Sequence, residues 1–192
     1  MRVILDYSIE IPKEKMMING KDITLRPLQE QDLSVFFSLL GSLPLISEFI
    51  FKDLISEFKF KKEFEKTGFW EDEKGIIAIL KDDKIVGAIF FEPCYPMEAL
   101  ELRFCIFDEK DRGQGYMQQG LKLFSAYLFA TKKIQRLQLF IPDYHKASIA
   151  VSKKCGFIFE GIARRALFFK GKYIDLCMYS QLRDECKNIA KL

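Results

Sequence analysis

Histidine is almost missing from this chain: His145 is the only one in 192 residues. A zinc site of the usual His/Cys kind, or a histidine-based triad, has too few residues to build from, so no metal is expected and the chemistry falls to other side chains. The five cysteines, Cys94, Cys105, Cys155, Cys177 and Cys186, are odd in number and show no C-x-x-C spacing. They read as reduced thiols of a cytoplasmic protein, several of them packed as small hydrophobes. An excess of one charge is also lacking. Thirty basic residues against 27 acidic leave a formal charge of +3, too little to make nucleic acid or a membrane surface an expected partner. Apolar runs such as residues 75–80 fall far short of the ~20 residues a membrane span needs. The first ten residues carry Asp6 and Glu10 and lead into no small-residue cleavage site, so no secretion signal is read there. Repeats, low-complexity tracts and linkers are absent from the pattern, and one domain over residues 1–192 is expected, with residues 1–20 as an extension carrying an added strand.

What is abundant is apolar surface: 49% hydrophobic residues, 19 of them Phe, enough for a substantial core. Residues 3–11 alternate like a half-buried strand. Residues 16–18 and 23–25 flank Asn19-Gly20, a pair that tolerates the positive φ of a hairpin turn. From residue 30 to 40, Leu33, Phe36, Phe37 and Leu40 fall on one helix face, with Gly41 placed to end it. A second helical period runs through Ile46, Phe49, Ile50, Leu54 and Phe58 and breaks before Gly68. Strands follow at 75–80 and 85–91, joined by a polar loop, and at 99–107. A helix over 114–130, a strand over 135–141, a short helix over 148–154 and a final hairpin over 157–169 and 173–181 complete an α/β order with a strand-helix-strand crossover.

The most informative stretch joins the strand at 99–107 to the helix after it, through Arg112-Gly113-Gln114-Gly115-Tyr116-Met117. Glycines let a backbone approach an anion, and the amides that open a helix present partial positive charge to it. A Walker loop would need G-x-x-x-x-G-K-[ST], and a dinucleotide fingerprint would need a third glycine; both patterns are missing here. The segment resembles the R/Q-x-x-G-x-G/A loop of the GNAT acetyltransferase superfamily, with Met117 where the family usually has a small residue. Ile23 to Leu28 with Asp32-Leu33, the run from His145 through Ser148 to Gly156-Phe157 and Glu160-Gly161, and Tyr173 to Tyr179 are similar to the RimJ/RimL-like branch. The resemblance implies a mixed, mostly antiparallel sheet flanked by helices, with a strand-helix-strand core that binds acetyl-CoA. It also implies an N-acetyltransferase that moves an acetyl group from the CoA thioester directly to a primary amine in a ternary complex. A protein or peptide N-terminus or a small-molecule amine could be the acceptor, and a homodimer is possible.

Three jobs follow from that reaction. For holding the cofactor, the resemblance implies backbone groups of Cys105, Ile106 and Phe107 beside the pantetheine. It implies the stretch Arg112, Gly113, Gln114, Gly115, Tyr116 and Met117 at the pyrophosphate, with His145 and Ser148 nearby. His145 stands where the branch commonly has Asn. For taking the proton of an amine whose free pKa lies near ~10, the resemblance makes Glu101 the preferred base, since it lies 11 residues before Arg112, the spacing at which the histone-acetyltransferase branch places its strand-borne glutamate; Glu92, Glu98, Glu160 or a chain of waters are alternatives. For protonating the leaving thiolate, Ser148 is preferred. Ser152 occupies the place where many members put a Tyr, and a thiolate also leaves without an acid. Cys155 reads as a packed thiol. A non-catalytic acyl-CoA-binding module of the same fold is the competing reading, supported by Met117, His145 and the missing tyrosine.

Overall fold

The computed structural model describes residues 17–41 and 56–187. The strand read at residues 3–11 and most of the helical segment read at 46–58 lie outside the described residues. Among the described residues eight strands form one sheet: β1 (Ile18–Asn19), β2 (Thr24–Pro27), β3 (Gly75–Lys81), β4 (Lys84–Pro93), β5 (Leu100–Ile106), β6 (Arg136–Pro142), β7 (Ile158–Phe169) and β8 (Lys172–Leu182). Their spatial order is β1-β2-β3-β4-β5-β6-β8-β7, and every neighbouring pair is antiparallel except β5 and β6. The parallel pair is the one joined by a crossover helix, as the connection requires.

Each face of the sheet has its own core. Helix α3 (Tyr116–Thr131) lies on one, where Leu121, Phe124 and Phe129 pack against Ile79, Phe91, Leu102 and Leu139. Gly120 lets this helix come close, since a Cβ there would sit 2.9 Å from Ile79 Cδ1. Helices α1 (Leu33–Leu40) and α2 (Glu57–Thr67) cover the other face. There the fully buried Phe36 ring lies 6.4 Å from Phe60, 6.4 Å from Phe90 and 5.6 Å from Phe107. With helices on both sides, β3 and β4 are apolar at consecutive positions rather than alternating. β7, at the sheet edge, is mostly exposed.

Element boundaries shift where a cap decides them. Residues 30–32 are a 3-10 turn, and the α-helix proper starts at Leu33. Gly115, at φ 80°, is the N-cap of α3, so that helix starts at Tyr116 rather than at Gln114. The short helix α4 spans Lys146–Lys154, two residues earlier than its apolar pattern suggests, because the His145 side chain caps it. Among the described residues no helix is long and apolar enough to cross a membrane.

A buried ion pair ties β2 to the first helix. Arg26 reaches Asp32 through both guanidinium nitrogens, at 2.5 and 3.0 Å, and the Gln29 amide donates to the same carboxylate at 2.7 Å. Removing one member of such a pair leaves an uncompensated charge in the interior. Asp32→Ala is therefore expected to lower the unfolding free energy by about 3 kcal/mol in urea denaturation, from the usual range for broken buried pairs.

Candidate active site

The parallel strands β5 and β6 touch only at their start. Leu100 is in register with Leu137 and Glu101 with Gln138, and beyond those two positions the strands diverge. β5 keeps its partner β4 on the other side along its whole length. The amide of Phe107 donates to Val86 O at 3.0 Å, and at the far end the amide of Cys94 donates to Ala99 O at 2.9 Å. Bonding directions alternate along a strand, so Ala99, Glu101, Arg103, Cys105 and Phe107 turn their backbone groups to β4. Phe104 and Ile106 turn theirs to the gap. This corrects the expected assignment, in which the groups of Cys105 and Phe107 face the cofactor: their polar atoms belong to the ladder with β4. Phe107 lies in the Phe36 core, away from the cavity lining.

The gap opens into a cavity of about 590 Å3 that reaches both faces of the sheet. Toward α3 and α4 it is lined by Arg112, Gly113, Gly115, Tyr116, Met117 and Gln118, facing His145, Ser148, Val151 and Lys154. Toward the opposite face it is lined by Glu92, Glu101 and Arg103, with Leu167 and Leu176 from the last two strands. Its volume is within the range of pockets that enclose a small ligand.

The loop at the mouth has the shape an anion needs. Gly113 and Gly115 both hold positive φ, 76° and 80°, and nothing lies within 4 Å of where either Cβ would be. The first amide bonded back into α3 is that of Gln119, to Gly115 O at 3.0 Å. The amides of Tyr116, Met117 and Gln118 therefore project from the helix start, and no acidic residue occupies its first turn. Met117 does not obstruct that approach, because its side chain is buried in the core beneath α3. Gln114 is exposed and lies outside the cavity lining.

His145 and Ser148 meet at the start of α4. The Ser148 amide donates to His145 Nδ1 at 3.2 Å, the capping bond that an Asn would make with its side-chain oxygen. Ser152 is fully buried and its hydroxyl donates to the Ser148 carbonyl at 2.8 Å. It lines no part of the cavity, so the expectation that it could protonate a leaving group is corrected: a helical serine one turn on bonds back to its own helix. Cys155 is likewise committed to the interior, and burial pushes its thiol up to about 12, which leaves no thiolate to act as nucleophile. All five cysteines are buried.

Glu101 sits at the fork itself. Directly across the β4 ladder stands Glu92, and Arg103 lies between the two carboxylates, 2.5 Å from Glu92 and 4.0 Å from Glu101. Cys94, just past the end of β4, has its thiol raised first by burial and then by the Glu101 charge. Glu160, the alternative base, is held elsewhere. Arg136 and the Ser180 hydroxyl bond it, and the Arg136 contact drives its carboxyl below the usual range. Glu98 is exposed and outside the lining. Of the tyrosines, Tyr116 reaches the cavity, whereas Tyr95 and Tyr173 are exposed and Tyr179 is core. The sequence had marked Glu101, the glycine loop, His145 and Ser148. It gave no weight to Arg103 as the partner of Glu92, and missed Gln118, the residue directly after Met117, and Lys154, six residues after Ser148 on the same helix.

A model of the acetyltransferase (GNAT) domain matches residues 22–158. The SPbeta prophage-derived uncharacterized N-acetyltransferase YokL of Bacillus subtilis is 26% identical over 172 residues, covering 86% of this chain and 93% of that protein. The structure of RimL, a ribosomal L7/L12 alpha-N-protein acetyltransferase in complex with coenzyme A, superposes with a TM-score of 0.77 at 20% identity, covering 88% of this chain and 99% of the other. A spermidine N-acetyltransferase from Vibrio cholerae, in complex with CoA and spermine, gives a TM-score of 0.76 at 18% identity over 87% of this chain and 99% of that one. These two likenesses establish a shared fold. The forked parallel strands, the glycine loop at the start of α3 and the matched domain lead to one assignment: the chain belongs to the GNAT acetyltransferase family.

Proposed function

We propose that this protein uses acetyl-CoA to acetylate a primary amine, with donor and acceptor held together in the β5–β6 fork and the acetyl group passing directly between them. The observation that carries the reading is the fork itself, with a phosphate-sized glycine loop at one mouth and a carboxylate pair at the other. Protein N-termini and polyamines are both acceptors named for structural neighbours, and the cleft of this chain is proposed to take an amine of one of these kinds. The chain acts as one acetyltransferase domain.

The amides of Tyr116, Met117 and Gln118 receive the pyrophosphate, and Arg112 adds a cation at the same mouth. The backbone groups of Phe104 and Ile106 bond the pantetheine arm as an added strand would, which fixes the thioester at the fork. Glu101 lies at the fork on the face away from α3. It accepts the proton of the incoming ammonium, directly or through one water, so that a neutral nitrogen attacks the thioester carbon. The carbon–sulfur bond then breaks, the Ser148 hydroxyl, at the capped end of α4, gives its proton to the departing thiolate, and the proton shed by the acylated nitrogen restores the serine. His145 supports this step indirectly, since its cap holds the first turn that carries Ser148.

Two measurements test the reading. Free thiol released from acetyl-CoA in the presence of short peptides, polyamines and amino sugars should depend on the amine, and Glu101→Gln should lower kcat by about a hundredfold, the usual contribution of a general base. Saturable CoA binding without thiol release across the panel would instead support the non-catalytic module. His145→Ala removes the cap of α4 and should raise KM for acetyl-CoA severalfold, while His145→Asn, which keeps an acceptor at the same place, should stay near wild type.

A further inference from the structure

Strand β7 is irregular where it borders the acceptor end of the cavity. Ala163 is in register with Leu176 and Leu167 with Ile174, so Arg164, Arg165 and Ala166 stand opposite Asp175 alone. A bulge of this kind re-aims the side chains it carries. Leu167 and Leu176, at its two ends, both line the cavity. Glu101 is in register with Gln138 and Pro142 with Leu176, and side chains alternate along β6, so Leu176 rises on the same face as Glu101. The bulge therefore borders the side of the cavity assigned to the acceptor.

Two arginines occupy it, both exposed. Arg165 holds φ 52°, a left-handed conformation that glycine or asparagine adopts at lower cost, and its amide donates to Asp175 Oδ1 at 2.8 Å. That bond commits the Asp175 carboxylate to the backbone of the bulge. Glu160, the other acid of the β7–β8 hairpin, is bonded by Arg136 and Ser180. Among the described residues neither Arg164 nor Arg165 has a carboxylate within ion-pair distance of its guanidinium. We infer that the two arginines form an anion subsite for the acceptor, and that the acceptor is the N-terminus of a peptide or protein with acidic side chains a few residues in. This deepens the proposed function and rests on it.

The spacing selects the length of the acceptor. Gln138 to Pro142 is ~13 Å along β6, and the strand spacings from β5 through β6 and β8 to β7 add ~14 Å across, which puts the bulge about 19 Å from Glu101. Less the reach of an arginine side chain, that is the span of about four extended residues. A free amino acid or an amino sugar is too short to touch both ends. A polyamine long enough to do so would set a second ammonium against the arginines, an unfavourable juxtaposition of like charge.

The test measures thiol release from acetyl-CoA with spermidine and with short peptides of one sequence that carry acidic, neutral or lysine side chains about four positions from the amine. Thermal melts and KM for acetyl-CoA are the controls for folding and donor binding. Wild type is expected to favour the acidic peptide over the neutral one about tenfold in kcat/KM, through KM and less so as salt is raised, as exposed charge pairs allow. Residues 42–55, outside the described residues, also carry Glu48, Lys52 and Asp53, so the arginines are tested by their own replacement. Arg164→Gln combined with Arg165→Gln should bring the ratio near one, and Arg164→Glu with Arg165→Glu should turn the preference to the lysine peptide. Arg165→Gly, which relieves the backbone and removes one charge, should lose part of the preference and keep the melting temperature. Equal use of the peptides by wild type, a preference for spermidine, or an acidic preference that survives the double replacement overturns the inference and leaves the acetyltransferase reading in place. CoA binding without thiol release for any amine overturns that reading and this inference with it.

Discussion

Everything at the site depends on two parallel strands that bond for two residues and then separate. A sheet normally satisfies each backbone group with the neighbouring strand, and an interior strand left half-paired is costly unless something else completes it. Here β5 is fully paired to β4 and β6 is fully paired to β8, so the structure tolerates an opening between them without losing either strand. The opening joins the two faces of the sheet. A long, flexible thioester can bond like a strand within it while its reactive end meets an acceptor arriving from the opposite face.

The rest of the molecule holds that opening at a fixed width. On one face α3 is drawn close by Gly120 and anchored by Phe124 and Phe129, which points its unbonded first-turn amides at the cavity mouth. On the other, the Phe36 cluster and the buried Arg26–Asp32 pair fix the first helix and the strands beneath it. Polar residues are sorted by the alternation of β5. Its even positions, Leu102, Phe104 and Ile106, turn their side chains toward the α3 core. Its odd positions, Glu101 and Arg103, put charge on the face where an amine would enter. One seven-residue strand thereby presents backbone groups to the gap and charged side chains to the opposite face of the cavity.

Much of this was legible in the chain. The two-residue period of the hairpins, the change to a helical period at residues 30–40, and the Gly113/Gly115 punctuation marked the elements and the loop with boundaries mostly within a few residues. Glu101, His145 and Ser148 were located by motif, and all three reach the cavity. Ser152 and Phe107 do not. Their failure has a common reason: spacing along a motif says nothing about rotation about the element's axis. Ser152 is one turn after Ser148 yet bonds inward, and the direction of the Phe107 amide is set by which strand lies beside it. The pairing of Arg103 with Glu92 was hidden for the same reason, since it depends on a register between strands that the linear order does not state.

Amide hydrogen exchange with and without saturating CoA tests the central claim most directly, because it reads the backbone groups that the fork leaves open. The account predicts that the amides of Phe104, Ile106, Tyr116, Met117 and Gln118 exchange rapidly in the protein alone and slow on adding CoA, while those of Cys105 and Phe107 are slow in both states. Protection of Phe104 and Ile106 without ligand, or a CoA effect that bypasses these positions, would contradict it.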